Sequence, residues 1–327
     1  MLARVLGPVA MVLASWPASA LAADRMLADG AAANVDAYAG TVVWDRGVPS
    51  SDGNLAGNGW RIAVRQAGEV HVVGRRFDFP PTLDLGTDVR GRLTIVYSLC
   101  SPRGCGVRVL DPRTGRERAV RLRGDHPRCR VFAGLAGAIA PSISRGRIVY
   151  FSTPCRGPTS VMLRLASGAT RRLGNDSAIG VGTDIVGDHV LISDEHPEPA
   201  LLDNGSRVIL FQLHSHRRRT LGEAYNEGPT SDMLKNPVLD SGLAYYIDDT
   251  DRGSGYYSQT LHRVPVDDIV ASRLRDYSEI LSGSEPNQNP HTGTPGSIAV
   301  SNGRIYYTVD DYGVYEDTTS PPVPRSN

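Results

Sequence analysis

One short pattern recurs along most of this chain: a glycine followed at once by a run dominated by β-branched and aromatic residues. The copies are Gly40-Thr-Val-Val-Trp-Asp45, Gly91-Arg-Leu-Thr-Ile-Val-Tyr-Ser98, Gly146-Arg-Ile-Val-Tyr-Phe-Ser152, Gly187-Asp-His-Val-Leu-Ile-Ser193, Gly242-Leu-Ala-Tyr-Tyr-Ile-Asp248 and Gly303-Arg-Ile-Tyr-Tyr-Thr-Val-Asp310. They stand roughly 40 to 60 residues apart, the period of propeller blades and too long for most helical solenoids. Six copies predict six blades.

The unit reads most clearly over Ala140 to Leu173. There three β-rich runs are separated by turn chemistry, with a further strand entering the turn at Ser144 to Arg147. Third strands alternate, as in Trp60-Arg-Ile-Ala-Val-Arg65, Val107-Arg-Val-Leu110, Val161-Met-Leu-Arg-Leu165 and Val208-Ile-Leu-Phe-Gln-Leu213. The turns after them, Gln66-Ala-Gly68, Asp111-Pro-Arg-Thr-Gly115 and Ala166-Ser-Gly168, place Gly and Asp where positive φ is needed. Outermost strands such as Arg116-Glu-Arg-Ala-Val-Arg121 and Thr170-Arg-Arg-Leu173 alternate charge with aliphatic residues, which discourages edge-to-edge pairing. The basic run His216-Arg-Arg-Arg219 falls in such a turn and strand, and reads as a solvated edge rather than a polyanion site.

The predicted fold class is therefore all-β: a single six-bladed β-propeller of four-stranded antiparallel blades. Only Asp267 to Tyr277 has the composition of a short helix. The last unit lacks a fourth strand, which the segment between Arg25 and Val35 is placed to supply, pairing first and last segments of the ring.

Pro141-Ser-Ile-Ser-Arg-Gly146-Arg-Ile-Val-Tyr-Phe151, followed by Val161-Met-Leu-Arg-Leu-Ala-Ser-Gly168-Ala-Thr-Arg-Arg-Leu173, resembles the repeat of the TolB-like propellers. It lacks that repeat's Trp and its Pro-Asp pair. The similarity runs weakly over nearly the whole chain after the first two dozen residues. It implies a six-bladed, WD40-like propeller that binds protein partners, with no catalytic residues to carry over.

Charge and targeting narrow the function classes. The 35 Lys and Arg residues balance 35 Asp and Glu, so no net field draws nucleic acid or an anionic membrane. Lys235 is the only lysine. Arg4, the apolar run Val5 to Trp16 and the small residues Ala18-Ser-Ala-Leu-Ala-Ala23 read as a cleavable export signal over residues 1–23. The apolar run is too short for the roughly 20 residues that span a bilayer. The expected layout is a signal peptide over 1–23, the propeller over 24–318 and a disordered Pro-rich tail over 319–327, giving a monomer without a membrane span in the periplasm or outside the cell.

Export makes disulfides the default for Cys100, Cys105, Cys129 and Cys155. Cys100 and Cys105 flank the short loop Ser101-Pro-Arg-Gly104, while Cys129 and Cys155 fall in loops that open on one face of a propeller. The expected pairing is 100 with 105 and 129 with 155. A cysteine metal site would need C-x-x-C spacing, which is absent.

Acidic side chains gather just after the glycine-anchored strands: Asp45, Asp194 and Glu195, Asp248, Asp249 and Asp251, Asp310 and Asp311. Hard oxygen ligands there suit Ca²⁺, but Asp is also an ordinary strand-ending turn former and no D-x-D-x-D-G loop is present, so no metal or cofactor is expected. The long loops reach the same face: Arg46 to Gly59, Asp194 to Ser206, Glu223 to Asn236, Asp249 to Ser258 and Ser282 to Gly296. They carry His196, Tyr225, Tyr256, Tyr257, Glu285 and His291. Irregular loops with aromatic and polar tips on a rigid ring are where propellers place binding sites, although loops also lengthen when nothing constrains them. No G-x-S-x-G elbow occurs, and His214-Ser-His216 falls on the tight-turn side. The sequence favours a binding or scaffold protein that engages a protein or cell-envelope ligand through this face. A lyase or glycosidase assembled from His196, His291 and loop carboxylates is the alternative.

Overall fold

The structure, a computed structural model, describes residues 24–101, 104–122, 136–155, 158–177, 179–197, 204–225, 231–251, 256–268, 270–280, 295–309 and 312–318. Every regular element among them is a β-strand. Blade 1 contains β2 (Val35–Tyr38), β3 (Thr41–Gly47), β4 (Trp60–Gln66) and β5 (Glu69–Phe77). Blade 2 contains β6 (Leu83–Thr87), β7 (Leu93–Ser101), β8 (Gly104–Leu110) and β9 (Glu117–Val120). Blade 3 contains β10 (Gly137–Ser144), β11 (Arg147–Thr153), β12 (Thr159–Arg164) and β13 (Thr170–Ser177). Blade 4 contains β14 (Ile179–Val186), β15 (His189–Pro197), β16 (Asn204–Gln212) and β17 (Arg217–Tyr225). Blade 5 contains β18 (Ser231–Asp240), β19 (Leu243–Asp251), β20 (Tyr256–Pro265) and β21 (Ser272–Ile280). Blade 6 joins β22 (Ile298–Ser301), β23 (Arg304–Val309) and β24 (Gly313–Glu316) to β1 (Arg25–Asp29) from the other end of the chain. The result is a six-bladed propeller of four-stranded antiparallel blades.

The recurring glycine has a local cause. At Ala39–Gly40, Arg145–Gly146, Ser241–Gly242 and Asn302–Gly303 both residues of the turn between first and second strands have positive φ. That is the tight hairpin whose twist matches its strands, and glycine adopts its second position at no steric cost. Gly146 is doubly constrained, because a Cβ there would lie 2.4 Å from Val89 Cγ1 on the neighbouring blade.

Second strands are packed on both sides and carry the largest buried side chains, Trp44, Tyr97, Tyr150, Tyr245 and Tyr307. The outer strand β5 is exposed over most of its length. Each of the six seams between neighbouring blades holds its own apolar cluster. Ile62 and Val64 meet Ile95 and Tyr97 between blades 1 and 2, and Val96 and Val109 meet Ile143 and Tyr150 between blades 2 and 3. Phe151 and Leu163 meet Ile192 and Ile209 between blades 3 and 4, and Leu191 and Leu210 meet Leu239 and Tyr246 between blades 4 and 5. Tyr245 and Leu261 meet Ile305 and Tyr307 between blades 5 and 6, and Tyr306 and Val314 meet Val42 and Trp44 between blades 6 and 1. Each such side chain contributes about 1.5–3 kcal/mol on burial, so the ring is held by six small cores rather than one.

The predicted closure is present. In β1, Met26 pairs with Tyr315 and Ala28 with Val314 of β24. An ionic lock lies beside the paired strands: the buried Asp24 carboxylate accepts Arg275 Nη2 at 2.8 Å and Nη1 at 3.2 Å, and takes bonds from the Tyr307 hydroxyl and the Thr318 N–H. Arg275 also reaches Asp317 at 2.6 Å, while Glu316 pairs with Arg25 and Arg304. Buried ion networks of this kind fix which strands pair more than they add net stability.

One expectation is overturned. Asp267 to Tyr277 is no helix: it is a turn running into strand β21, where Leu261 of β20 opposes Arg275. Pairing with an open blade edge outweighs the helical leaning of its Arg, Leu and Ala residues. Cys100 and Cys105 are bonded directly across the β7–β8 hairpin. Cys155 is also disulfide-bonded, and its expected partner Cys129 lies outside the described residues, as do residues 1–23 and 319–327.

Candidate functional site

Strand order gives the ring two unlike ends. First-to-second and third-to-fourth connections share one end and are mostly tight turns, with His214 and His216 exposed in one of them. Second-to-third and fourth-to-first connections share the other end, where residues 48–59, 121–136 and 281–297 separate strands. The segments 194–206, 223–236 and 249–258, expected as long loops, are instead mostly strand, because β15 to β20 extend past the ring and leave only 198–203, 226–230 and 252–255 between them. The loop in blade 1 folds back on itself: Val48 N–H donates to Gly59 O at 2.8 Å and Ser50 N–H to Asn54 O at 2.9 Å.

At this loop end the acidic residues are individually engaged. Asp45 is fully buried and accepts the Ala33 and Asn34 N–H groups at 2.7 and 2.9 Å and Asn34 Nδ2 at 2.6 Å, which fixes the entry into blade 1. Asp194 is buried opposite Arg207, which donates Nε at 2.9 Å and Nη2 at 3.3 Å. Glu195 follows, half-buried. Asp249 pairs with Lys235 and accepts Gln259 Nε2 at 3.3 Å; Asp248 stands 3.5 Å from His262 Nε2, whose ring stacks on Tyr246. The structure thus brings Asp249 together with Lys235 and Gln259 on one face of β19 and Asp248 with His262 on the other, while Asp194 belongs to a separate pair in blade 4.

His196, Tyr225, Asp251, Tyr256 and Tyr257 lie at strand ends whose side chains are outside the described residues, and Glu285, His291, Asp310 and Asp311 are outside them altogether. Among the described residues, no group of three or more His, Cys, Asp or Glu side chains is arranged to hold a metal ion.

A second constellation lies on the axis. Two adjoining cavities of about 100 and 200 Å³ are walled by the first strands of all six blades and share Asp36, Asp84 and Asp184. Side chains of these strands stitch every seam. Asp36 accepts the Leu85 N–H from blade 2, and Asp84 accepts the Ile143 N–H from blade 3 at 2.8 Å. Ser142 and Thr183 hydroxyls meet at 2.8 Å between blades 3 and 4, and Asp184 accepts the Leu239 N–H of blade 5 at 2.5 Å. Asp240 accepts the Gly303 N–H of blade 6 at 3.0 Å, and Ser297 accepts the Val35 N–H of blade 1 at 3.4 Å.

The three central carboxyls hold their protons unusually well. Burial pushes Asp36 up to about 8, with the Asp184 charge adding to it. Burial likewise lifts Asp84 well above the carboxylate range, helped by Asp36 and Asp184, and takes Asp184 to about 7. The N–H groups they accept pull the other way and are outweighed. Sequence reasoning passed over these aspartates. The available signal was one acid inside each of the apolar first strands Val35-Asp-Ala37, Leu83-Asp-Leu85 and Thr183-Asp-Ile185.

No protein-family model matches the chain, and no curated protein matches it in sequence. In fold it is similar to a chain in the crystal structure of a nidogen/laminin complex, with TM-score 0.51 and 10% identity over 83% of this chain and 86% of that one. It is similar to TolB from Acinetobacter baumannii, with TM-score 0.51 and 11% identity over 86% of this chain and 64% of that one. A puromycin hydrolase mutant complexed with PGG gives TM-score 0.53 and 15% identity over 88% of this chain. The chain spans 52% of that hydrolase's length. Likeness at this identity is one of fold alone.

Proposed function

We propose that this chain is an exported binding module that engages a protein or cell-envelope partner through the loop end of the ring, with the blades and the tight-turn end as scaffold. The observation that carries this reading is the inequality of the two ends: the longest segments between strands, residues 48–59, 121–136 and 281–297, all leave one end, around second strands whose loop-end halves carry Asp194, Asp248 and Asp249. Such loops are free to vary because the ring beneath them is rigid. The fold likeness to a chain in a nidogen/laminin complex and to TolB is in keeping with a binding role. The export part rests on residues 1–23 and on cysteines held as disulfides.

The test is quantitative capture from cell-envelope extract, comparing the wild-type protein with a variant whose Asp249 to Ser258 loop is replaced by a short Gly-Ser turn and with a control altered only at the Leu213 to His216 turn. Loss of one reproducible partner in the loop variant but not in the control supports the reading, and equal capture by all three overturns it. In parallel, alanine at His196 and His291 is assayed on a panel of polysaccharides. Turnover by the wild type that these substitutions abolish would make the protein an enzyme instead.

A further inference from the structure

We propose that the axis carries a proton-operated clasp: the carboxyl groups of Asp36, Asp84 and Asp184 hold the blades close when protonated and drive them apart when ionised. This is independent of the loop-end reading. The geometry has three parts. Each carboxyl sits on a first strand and takes a backbone N–H from the next blade, so it lies at a seam and not merely in a cavity wall. All three face the same pair of adjoining cavities. And among the described residues nothing positive answers them.

That last point follows from every element around the axis. Strand β2 offers only Asp36 inside the ring, with Tyr38 exposed at the mouth; β6 offers Asp84 and β14 offers Asp184. Strands β10 and β22 carry no ionisable side chain. Strand β18 contributes Asp240, another acid, while its Lys235 is paired with Asp249 and the Asp232 side chain lies outside the described residues. Among the described residues no Arg, Lys or His lines either cavity. Three ionised carboxylates would therefore confront one another across a small space with no counter-charge. A protonated carboxyl keeps its acceptor oxygen for the neighbouring N–H and gains a donor for another oxygen on the axis.

The direction of the effect follows from where the protons are bound. Burial, with repulsion from neighbouring acids, raises Asp184 in the folded ring to about 7 and Asp36 to about 8 and lifts Asp84 well above its ordinary value, while an unfolded chain releases the same protons near its ordinary 3.8. Between those limits the folded state holds more protons, so stability falls as pH rises and is lost through about pH 7 to 8. The clasp is shut in acid and open in base.

The experiment is thermal unfolding of the intact protein between pH 5.5 and 8.5, for the wild type, for D36N, D84N and D184N, and for the triple variant. Asparagine keeps an acceptor for the seam N–H and cannot ionise. The wild-type Tm should drop by about 3 °C per pH unit over this range, each single variant should drop less steeply, and the triple variant should be nearly flat. A wild-type Tm that is level or rises with pH overturns the clasp, as does a triple variant with the wild-type slope. Should the triple variant not fold, infrared spectra of the wild type with each single variant subtracted give the second readout. A protonated-carboxyl C=O band at pH 6 that each substitution diminishes supports the clasp, and absence of that band overturns it.

Discussion

Two acidic assemblies in this ring are built on opposite terms. At the closing seam, Asp24 and Asp317 are buried, yet both grip Arg275, and Glu316 lies between Arg25 and Arg304. On the axis, Asp36, Asp84 and Asp184 are each met by a backbone N–H but, among the described residues, by no cation. The seam solves burial of charge by pairing; the axis solves it by keeping the proton. Both devices join one segment of the ring to the next, so they make the same kind of contact answer to different variables: the presence of a strand in one case, pH in the other.

Experiments can separate the two, and the largest effect belongs to the seam. Deleting residues 24–35 removes the closing strand and its carboxylate together, and should lower Tm by well over about 10 °C or prevent folding, as read by circular dichroism. Unchanged thermal stability would mean that the ring does not depend on its closure. Next, Arg275→Met leaves two buried carboxylates without their cation and should cost about 3–5 kcal/mol in urea titration at neutral pH. A loss below about 1 kcal/mol would show the lock to be ornamental. At the axis the sign reverses: Asp184→Asn should stabilise the protein, and by about 2 kcal/mol more at pH 8.5 than at pH 5.5. Destabilisation at both values would make Asp184 an ordinary acceptor. The smallest effect is expected at the rim, where Arg75 is half-exposed against Glu117 at 2.9 Å. Arg75→Ala should cost about 0.5 kcal/mol and less in high salt, marking the value of an exposed pair against which the other two are judged.

The blades were legible in the sequence because their turns are local chemistry. A positive-φ pair such as Asn302–Gly303 needs its glycine whatever surrounds it, and the strand behind it, Arg304–Val309, shows its burial in its own residues. The closing strand was legible from a deficit, one strand too few in the last blade. Strand β21 was not, because an outer strand lies exposed on its way to the rim and Ser272–Ile280 is half polar, leaving propensity to speak where pairing decides. At the loop end, positions were readable and partners were not: nothing near Asp194 in sequence announces Arg207, which opposes it only once β15 and β16 pair. The axial carboxyls were hidden for a related reason. Asp36 looks like a strand-interrupting acid until the chain returns with Leu85, 49 residues later, to occupy its oxygen.

The closing strand also sets an order of events. The bond from Arg25 to Glu316 joins residues 291 apart, so the first strand of the ring has to wait for nearly the whole chain to be made. Until then blade 6 lacks a wall and β1 lacks a partner. A ring closed this way cannot be finished before residue 316 has been made, and contacts of such long range are slow to form. Whatever escorts the chain in that interval has an unpaired edge to shield at each end, and the last step of folding brings the two together.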